Sequence, residues 1–238
     1  MIPWLSPRDP FPPVAAALRD PNGLLAAGGD LSTGRLLDAY ARGIFPWSGE
    51  DEPLLWWSPD PRMVLWLREL HISRSLGRRI RAGGYRVTLD TAFRDVMRGC
   101  AAPRGGRDAT WITPQMIEAY GRLAASGHAH SIEVWTPGAL AGGLYGVALG
   151  RMFFGESMFS RERDVSKMAL VFLVRQLERW GFELIDCQMS TAHLASLGAR
   201  EIPRAEFLRH VERLVRQPAV PAPWILDADL LERAGTMI

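Results

Sequence analysis

The stretch SKMALVFLVRQLERW (Ser166–Trp180), followed by Gly181 and then FELIDC (Phe182–Cys187), decides the fold. Apolar side chains recur around nearly the whole circumference of the first segment, so the spacing predicts a helix buried on most of its surface. Gly181 supplies the stop. Phe182 to Cys187 is apolar except for its acids, which predicts a buried strand. Upstream, Ser131 to Trp135, Ala139 to Ala148 and Arg151 to Phe154 read as strands, the last two linked near Gly150.

Two or three strands, a buried helix and a further strand predict a mixed α/β sheet with flanking helices, similar to the core of an acetyltransferase-like (GNAT-like) domain. Further out, Pro203 to Arg216 is an amphipathic helix, and the Pro-rich tail from Gln217 to Ile238 is expected to pack on the surface. On the other side, Thr113-Pro114 opens a helix with Thr as cap and Pro in the first turn. Cys100 to Asp108 reads as a loop, Ala92 to Arg98 as a helix capped by Asp90 or Thr91, and Tyr85 to Leu89 as a strand. Ser73 to Ala82 is a basic helix, and Met63 to Leu67 a strand. The first 60 residues are rich in Pro, Gly and Trp. One helix stands out there, capped at Asp30-Leu31-Ser32 and stopped by Gly43; the rest is expected to form a rigid, irregular wall. The expected division is a small N-terminal domain over 1–62 and a larger domain over 63–238.

A chain of 238 residues can bury a sizeable core. No apolar run approaches the ~20 residues of a membrane helix, and no basic leader precedes an apolar stretch, so a cytoplasmic protein without membrane contact is expected. Cys100 and Cys187 have no metal-ligand spacing, and no metal is expected. Charge is unevenly spread. Residues 62–107 carry 11 Arg against 3 acids, while the net charge of the whole chain is only +2. Clustered Arg forks match phosphate oxygens and point to nucleic acid.

Several segments go beyond pattern. Gly43-Ile44-Phe45-Pro46-Trp47, Trp56-Trp57-Ser58-Pro59-Asp60-Pro61-Arg62, Thr110-Trp111-Ile112, Phe154-Gly155-Glu156-Ser157-Met158-Phe159-Ser160, Ile185-Asp186-Cys187-Gln188 and Ser196-Leu197-Gly198-Ala199 stand in that order. Together they closely resemble the leucyl/phenylalanyl-tRNA–protein transferases, over about residues 1–210. The resemblance implies transfer of Leu, Phe or Met from its tRNA to proteins beginning with Arg or Lys, marking them for degradation. Aminolysis of an activated ester needs no cofactor, and the chain carries no nucleotide-binding loop and no Gly-x-Ser-x-Gly elbow. An acyl-CoA-dependent acetyltransferase is the main rival. The nearest match to its pyrophosphate loop, Arg74-Ser75-Leu76-Gly77-Arg78-Arg79, fails at the last position. A cell-wall peptide-ligating relative and a non-catalytic RNA-binding protein explain less of the chain.

The resemblance implies an apolar pocket lined by Phe153, Met158, Leu173, Leu177 and Ile185. Trp47 and Trp111 are candidates to stack the tRNA's terminal adenine. Arg74, Arg78, Arg79 and Arg81 would grip acceptor-stem phosphates. Glu156, a lone charge in an apolar stretch, would shape the site or receive the basic acceptor residue. Asp186 and Gln188 are the expected catalytic pair. Two apart on a strand, they would project to one face while Ile185 and Cys187 face the other, with Asp186 orienting Gln188 and helping manage the amine's proton. His128, His130 and His193 are expected at the surface or in structural roles. The expected partners are aminoacyl-tRNA and the acceptor protein, with the enzyme a monomer.

Overall fold

The computed structural model describes residues 1–49, 51–103 and 111–232. A small sheet comprises β1 (Trp4–Leu5), β2 (Leu24–Gly28), β3 (Phe45–Pro46) and β4 (Leu55–Trp57), in the order β1-β2-β4-β3. The irregular wall expected over the first 60 residues is therefore partly a sheet. Its strands run from two to five residues, too short to show alternation in the sequence. Helix α1 (Thr33–Ala41) lies between β2 and β3, with the Ser32 hydroxyl capping Arg35 N–H.

The large sheet holds β5 (Arg62–Trp66), β6 (Arg86–Leu89), β7 (Ala129–Thr136), β8 (Ala139–Leu149), β9 (Met152–Ser160), β10 (Leu184–Gln188) and β11 (Arg200–Ile202). Their order is β11-β5-β10-β9-β8-β7-β6. Strands β7 to β9 form an antiparallel meander, whereas β10 lies parallel to β9. A parallel neighbour requires a crossover, and α5 (Val165–Arg179) provides it. This is the strand–helix–strand run legible in the sequence. At the tight β8–β9 link Gly150 has a φ of 58°, and a Cβ there would strike the carbonyl oxygens that follow α7 (Arg204–Leu214).

Two layers cover the sheet. Helices α2 (Arg74–Arg81) and α5 pack their apolar residues, among them Leu76, Ile80, Leu170 and Leu173, on one face. On the other lie α1, α3 (Phe93–Ala101), α4 (Pro114–Ala125) and α7, whose core is continuous with Leu25 and Trp56 of the small sheet. Short helices α6 (Ala192–Ser196) and α8 (Ala228–Glu232) complete the described elements.

Three further differences from the sequence reading have local causes. No side chain on its own turn caps α3; Glu133 reaches across from β7 to accept from Ala92 N–H and Thr91, while Asp90 binds His130 and the backbone N–H groups of Ser131 and Trp224. Strand β9 runs on to Ser160, past the Gly155-Glu156 interruption. The tail is anchored rather than merely laid down: Trp224 is buried, stacked flat on His130 at 3.6 Å between ring centres. Arg104, Arg107 and Thr110, and most of the loop expected to follow Cys100, lie outside the described residues. No helix among the described residues is long and apolar enough to cross a membrane.

Candidate active site

The two central strands of the large sheet come apart. Strands β9 and β10 pair only at Phe153–Ile185 and Phe154–Asp186. Past that point each is bulged. On β9, Tyr145 of β8 faces Ser157 and Gly146 faces Gly155, which leaves Glu156 as the extra residue. On β10, Asp186 faces Val64 and Gln188 faces Met63, which leaves Cys187 extra. Gln188 has a φ of 62°, in the left-handed region that costs an ordinary side chain free energy. Bulges re-aim side chains, and here they aim two polar ones into one gap. Gln188 Nε2 donates to Glu156 Oε1 at 2.8 Å. The bulge also undoes the simple alternation expected of Asp186 and Gln188.

Glu156 is held by neutral groups from three elements. Tyr40 of α1 lies 2.7 Å from Oε1, Tyr120 of α4 lies 3.2 Å from Oε2, and the two phenol oxygens touch each other. Both phenols donate to Glu156, which makes its carboxyl group their shared acceptor. Removal from water, opposed only in part by these hydrogen bonds and reinforced by Asp186, pushes Glu156 up from its ordinary 4.5 to about 7. Burial likewise drives Tyr40 and Tyr120 well above the usual phenol range, so both remain donors.

Asp186, the neighbouring acid, has a cation instead. Its carboxylate accepts two hydrogen bonds from Arg62, Nε at 2.8 Å and Nη2 at 2.6 Å, and neither side chain has measurable contact with solvent. Oδ1 also accepts the Gln188 backbone N–H at 2.9 Å.

Beside Glu156 opens a cavity of about 180 Å³ with mostly apolar walls. Phe153, Met158, Leu173 and Ile185 line it, joined by Leu65, Leu144 and Leu170, with Glu156, Ser157 and Tyr145 among the polar residues of the lining. Leu177 is fully buried in the core and does not reach the cavity. Trp47 is 37% exposed, set edge-on to Trp57 at 5.5 Å, and Trp111 is half-buried; neither lines the cavity. Arg74, Arg78 and Arg81 are exposed on α2, whereas Arg79 is half-buried, 3.8 Å from Glu162. His193, read as a surface residue, is exposed and stands among the cavity's lining residues.

Tyr40, Tyr120 and Arg62 were not singled out from the sequence. The tyrosines occupy apolar-spaced helix positions, where only the ring is legible. Arg62 carried a signal: a lone cation opening the apolar run Met63–Leu65 needs a buried acid, and Asp186 in Leu184–Cys187 is the matching one.

Comparison with known proteins agrees in one direction. The family model described as leucyl/phenylalanyl-tRNA protein transferase matches residues 64–212, and that of the same family's N-terminal domain matches residues 29–60. The chain is 63% identical to a leucyl/phenylalanyl-tRNA–protein transferase of Thiobacillus denitrificans, over 92% of this chain and 96% of that one. It is 60% identical to the one from Nitrosospira multiformis, over 98% and 100%. Solved structures are more distant. One is the L-PGS of Bacillus licheniformis, 11% identical with a TM-score of 0.39, over 71% of this chain and 54% of that one. Another is a GCN5-related N-acetyltransferase from Kribbella flavida, 12% identical with a TM-score of 0.35, over 71% and 60%.

Proposed function

Since this chain belongs to the leucyl/phenylalanyl-tRNA–protein transferase family, we propose that its reaction takes place in the gap between β9 and β10. The chain transfers leucine or phenylalanine from an aminoacyl-tRNA to a protein. The observation that carries the placement is an apolar cavity of side-chain size lined at one point by Glu156, to which Gln188, on a separate bulged strand, donates. The donor's apolar side chain fills the cavity, which brings its ester carbonyl to the polar end. Met158 gives the wall adaptability, which suits Leu, Phe and also Met donors.

The acceptor's α-amine nitrogen attacks the ester carbonyl carbon, and the bond to the ribose 3′ oxygen breaks. The amine must lose a proton and the leaving oxygen must gain one. Glu156, poised near pH 7, is suited to accept the first and return it to the second. Gln188 commits its amide nitrogen to Glu156, and its carbonyl oxygen remains to accept from the amine and aim it. Asp186 supports this pair from behind. Arg74, Arg78, Arg79 and Arg81 of α2, which packs beside α5, suit the acceptor stem, and Trp47 and Trp111 suit the terminal adenine. The acceptors are proteins beginning with Arg or Lys, and the product's new N-terminus marks them for degradation. The reading is completed by a monomer in a cytoplasmic setting, where its tRNA donor is found.

The test mixes the protein with labelled Phe-tRNA and a peptide beginning with Arg, beside the same peptide beginning with Ala. Label is expected on the Arg peptide alone, and none after ribonuclease treatment of the tRNA. Equal labelling of both peptides would overturn the acceptor rule, and no labelling would overturn the reaction.

A further inference from the structure

The aim of Gln188 depends on a backbone that would not hold itself. The residue sits at positive φ, just after a bulge, at the end of a strand that has lost its β9 partner. Besides its register with Met63 of β5, that backbone is held by its own N–H, which donates to Asp186 Oδ1 at 2.9 Å. That same oxygen accepts Arg62 Nε, while Nη2 holds the other. We infer that Arg62 is a positioning residue of the transfer reaction: its fork fixes Asp186, Asp186 fixes the β10 bulge, and the bulge aims Gln188 at Glu156. This rests on the reading of the site given above.

The setting of Arg62 supports a directional rather than a merely cohesive role. Its guanidinium carbon lies over the rings of both Phe45 and Phe207, 4.7 and 4.6 Å from their centres. Nη1 is buried without a hydrogen-bond partner. Burying such a pair is costly, and apolar residues of similar volume often serve stability as well or better. What apolar residues cannot do is set the rotation of a carboxylate. A planar fork packed against two rings and bonded to both oxygens permits one orientation, and that orientation presents Oδ1 to Gln188 N–H. Lysine offers a point charge and leaves the carboxylate free to turn.

The full-length Arg62→Lys variant, which keeps the charge, is therefore the test. With Phe-tRNA and an Arg-initiated peptide, kcat is expected to fall roughly 100-fold, as for a misplacement of about 1 Å, with KM for Phe-tRNA changed less than about threefold. In a Gln188→Ala background the same substitution is expected to cost less than about threefold, because the residue it positions is already gone. Independently of activity, the Gln188 amide is expected to exchange with solvent faster in Arg62→Lys, with amides of α5 unchanged. Multiplicative losses in the two backgrounds, a rise in KM with kcat unchanged, or unaltered Gln188 exchange would each overturn the inference. Should Arg62→Lys fail to fold, Phe207→Leu removes one of the two rings packed on the guanidinium while leaving both charges, and carries the same expectations at smaller size. If the parent protein transfers nothing, the functional reading fails on its own, and the exchange measurement still decides whether Arg62 holds Gln188.

Discussion

Strands β9 and β10 each bring one acid to the gap, and the two are treated in opposite ways. Asp186 meets a guanidinium that answers its charge with two hydrogen bonds. Glu156 meets two phenols and an amide, all neutral donors, which leave part of the cost of burial unpaid. A carboxylate with a cation is fixed in place; one with neutral donors gains and releases a proton near neutrality. The sequence motif Ile185-Asp186-Cys187-Gln188 draws attention to Asp186. On the proposed reading, proton chemistry falls to Glu156 and the mechanical part to Asp186.

Substitution separates the two roles. Glu156→Gln keeps the volume and the contacts of the amide but removes the titrating group, so kcat is expected to fall roughly 10²- to 10⁴-fold, with tRNA affinity unchanged. Single-turnover transfer and filter binding of Phe-tRNA measure the two quantities. A loss of tRNA affinity with kcat intact would break the contrast from the Glu156 side. Asp186→Ala strands the Arg62 cation in the core and is expected to cost about 3–5 kcal/mol of stability in denaturant unfolding. A stability unchanged within about 1 kcal/mol would show that the pair is not the anchor described here.

Two smaller effects sharpen the picture of what surrounds the gap. Leu173→Phe narrows the cavity and is expected to disfavour Phe over Leu donors by about tenfold in kcat/KM, measured by competition between the two charged tRNAs. Arg78→Gln is expected to reduce the slope of log affinity against log salt by about one, the share of one phosphate contact.

Much of this was legible in the chain. The run from Ser131 to Cys187 read as three strands, a buried helix and a further strand because long apolar segments bounded by glycines stand out, whereas the antiparallel and parallel pairings are set by the sheet itself. Phe153, Met158, Leu173 and Ile185, named from the family resemblance, share one cavity, and of these Met158 and Ile185 stand within the motifs that carry it. The small sheet was not legible, since two-residue strands such as Trp4–Leu5 have no period at all. Nor were the bulges, which turn on how a strand sits against its neighbours rather than on its own residues. Both hide the same fact: Tyr40 and Tyr120, distant in sequence, converge on the one residue that β9 pushes out of register. Leu177 misled because helical spacing alone does not say where along α5 the cavity ends.

Glu156 also ties stability to pH. The folded chain holds its proton up to about 7, whereas an unfolded chain releases it near 4.5. This contribution to stability is complete below 4.5 and is lost as pH rises through 7, so the loss falls in the range where activity is expected to rise.

The most direct measurement is kcat against pH for the parent protein and for Glu156→Gln, at saturating Phe-tRNA and Arg-initiated peptide. The parent is expected to show a limb rising through about pH 7, which Glu156→Gln abolishes while any limb from the acceptor amine, near pH 8, persists. A limb at pH 7 that survives in Glu156→Gln would contradict the account and return the proton to another group.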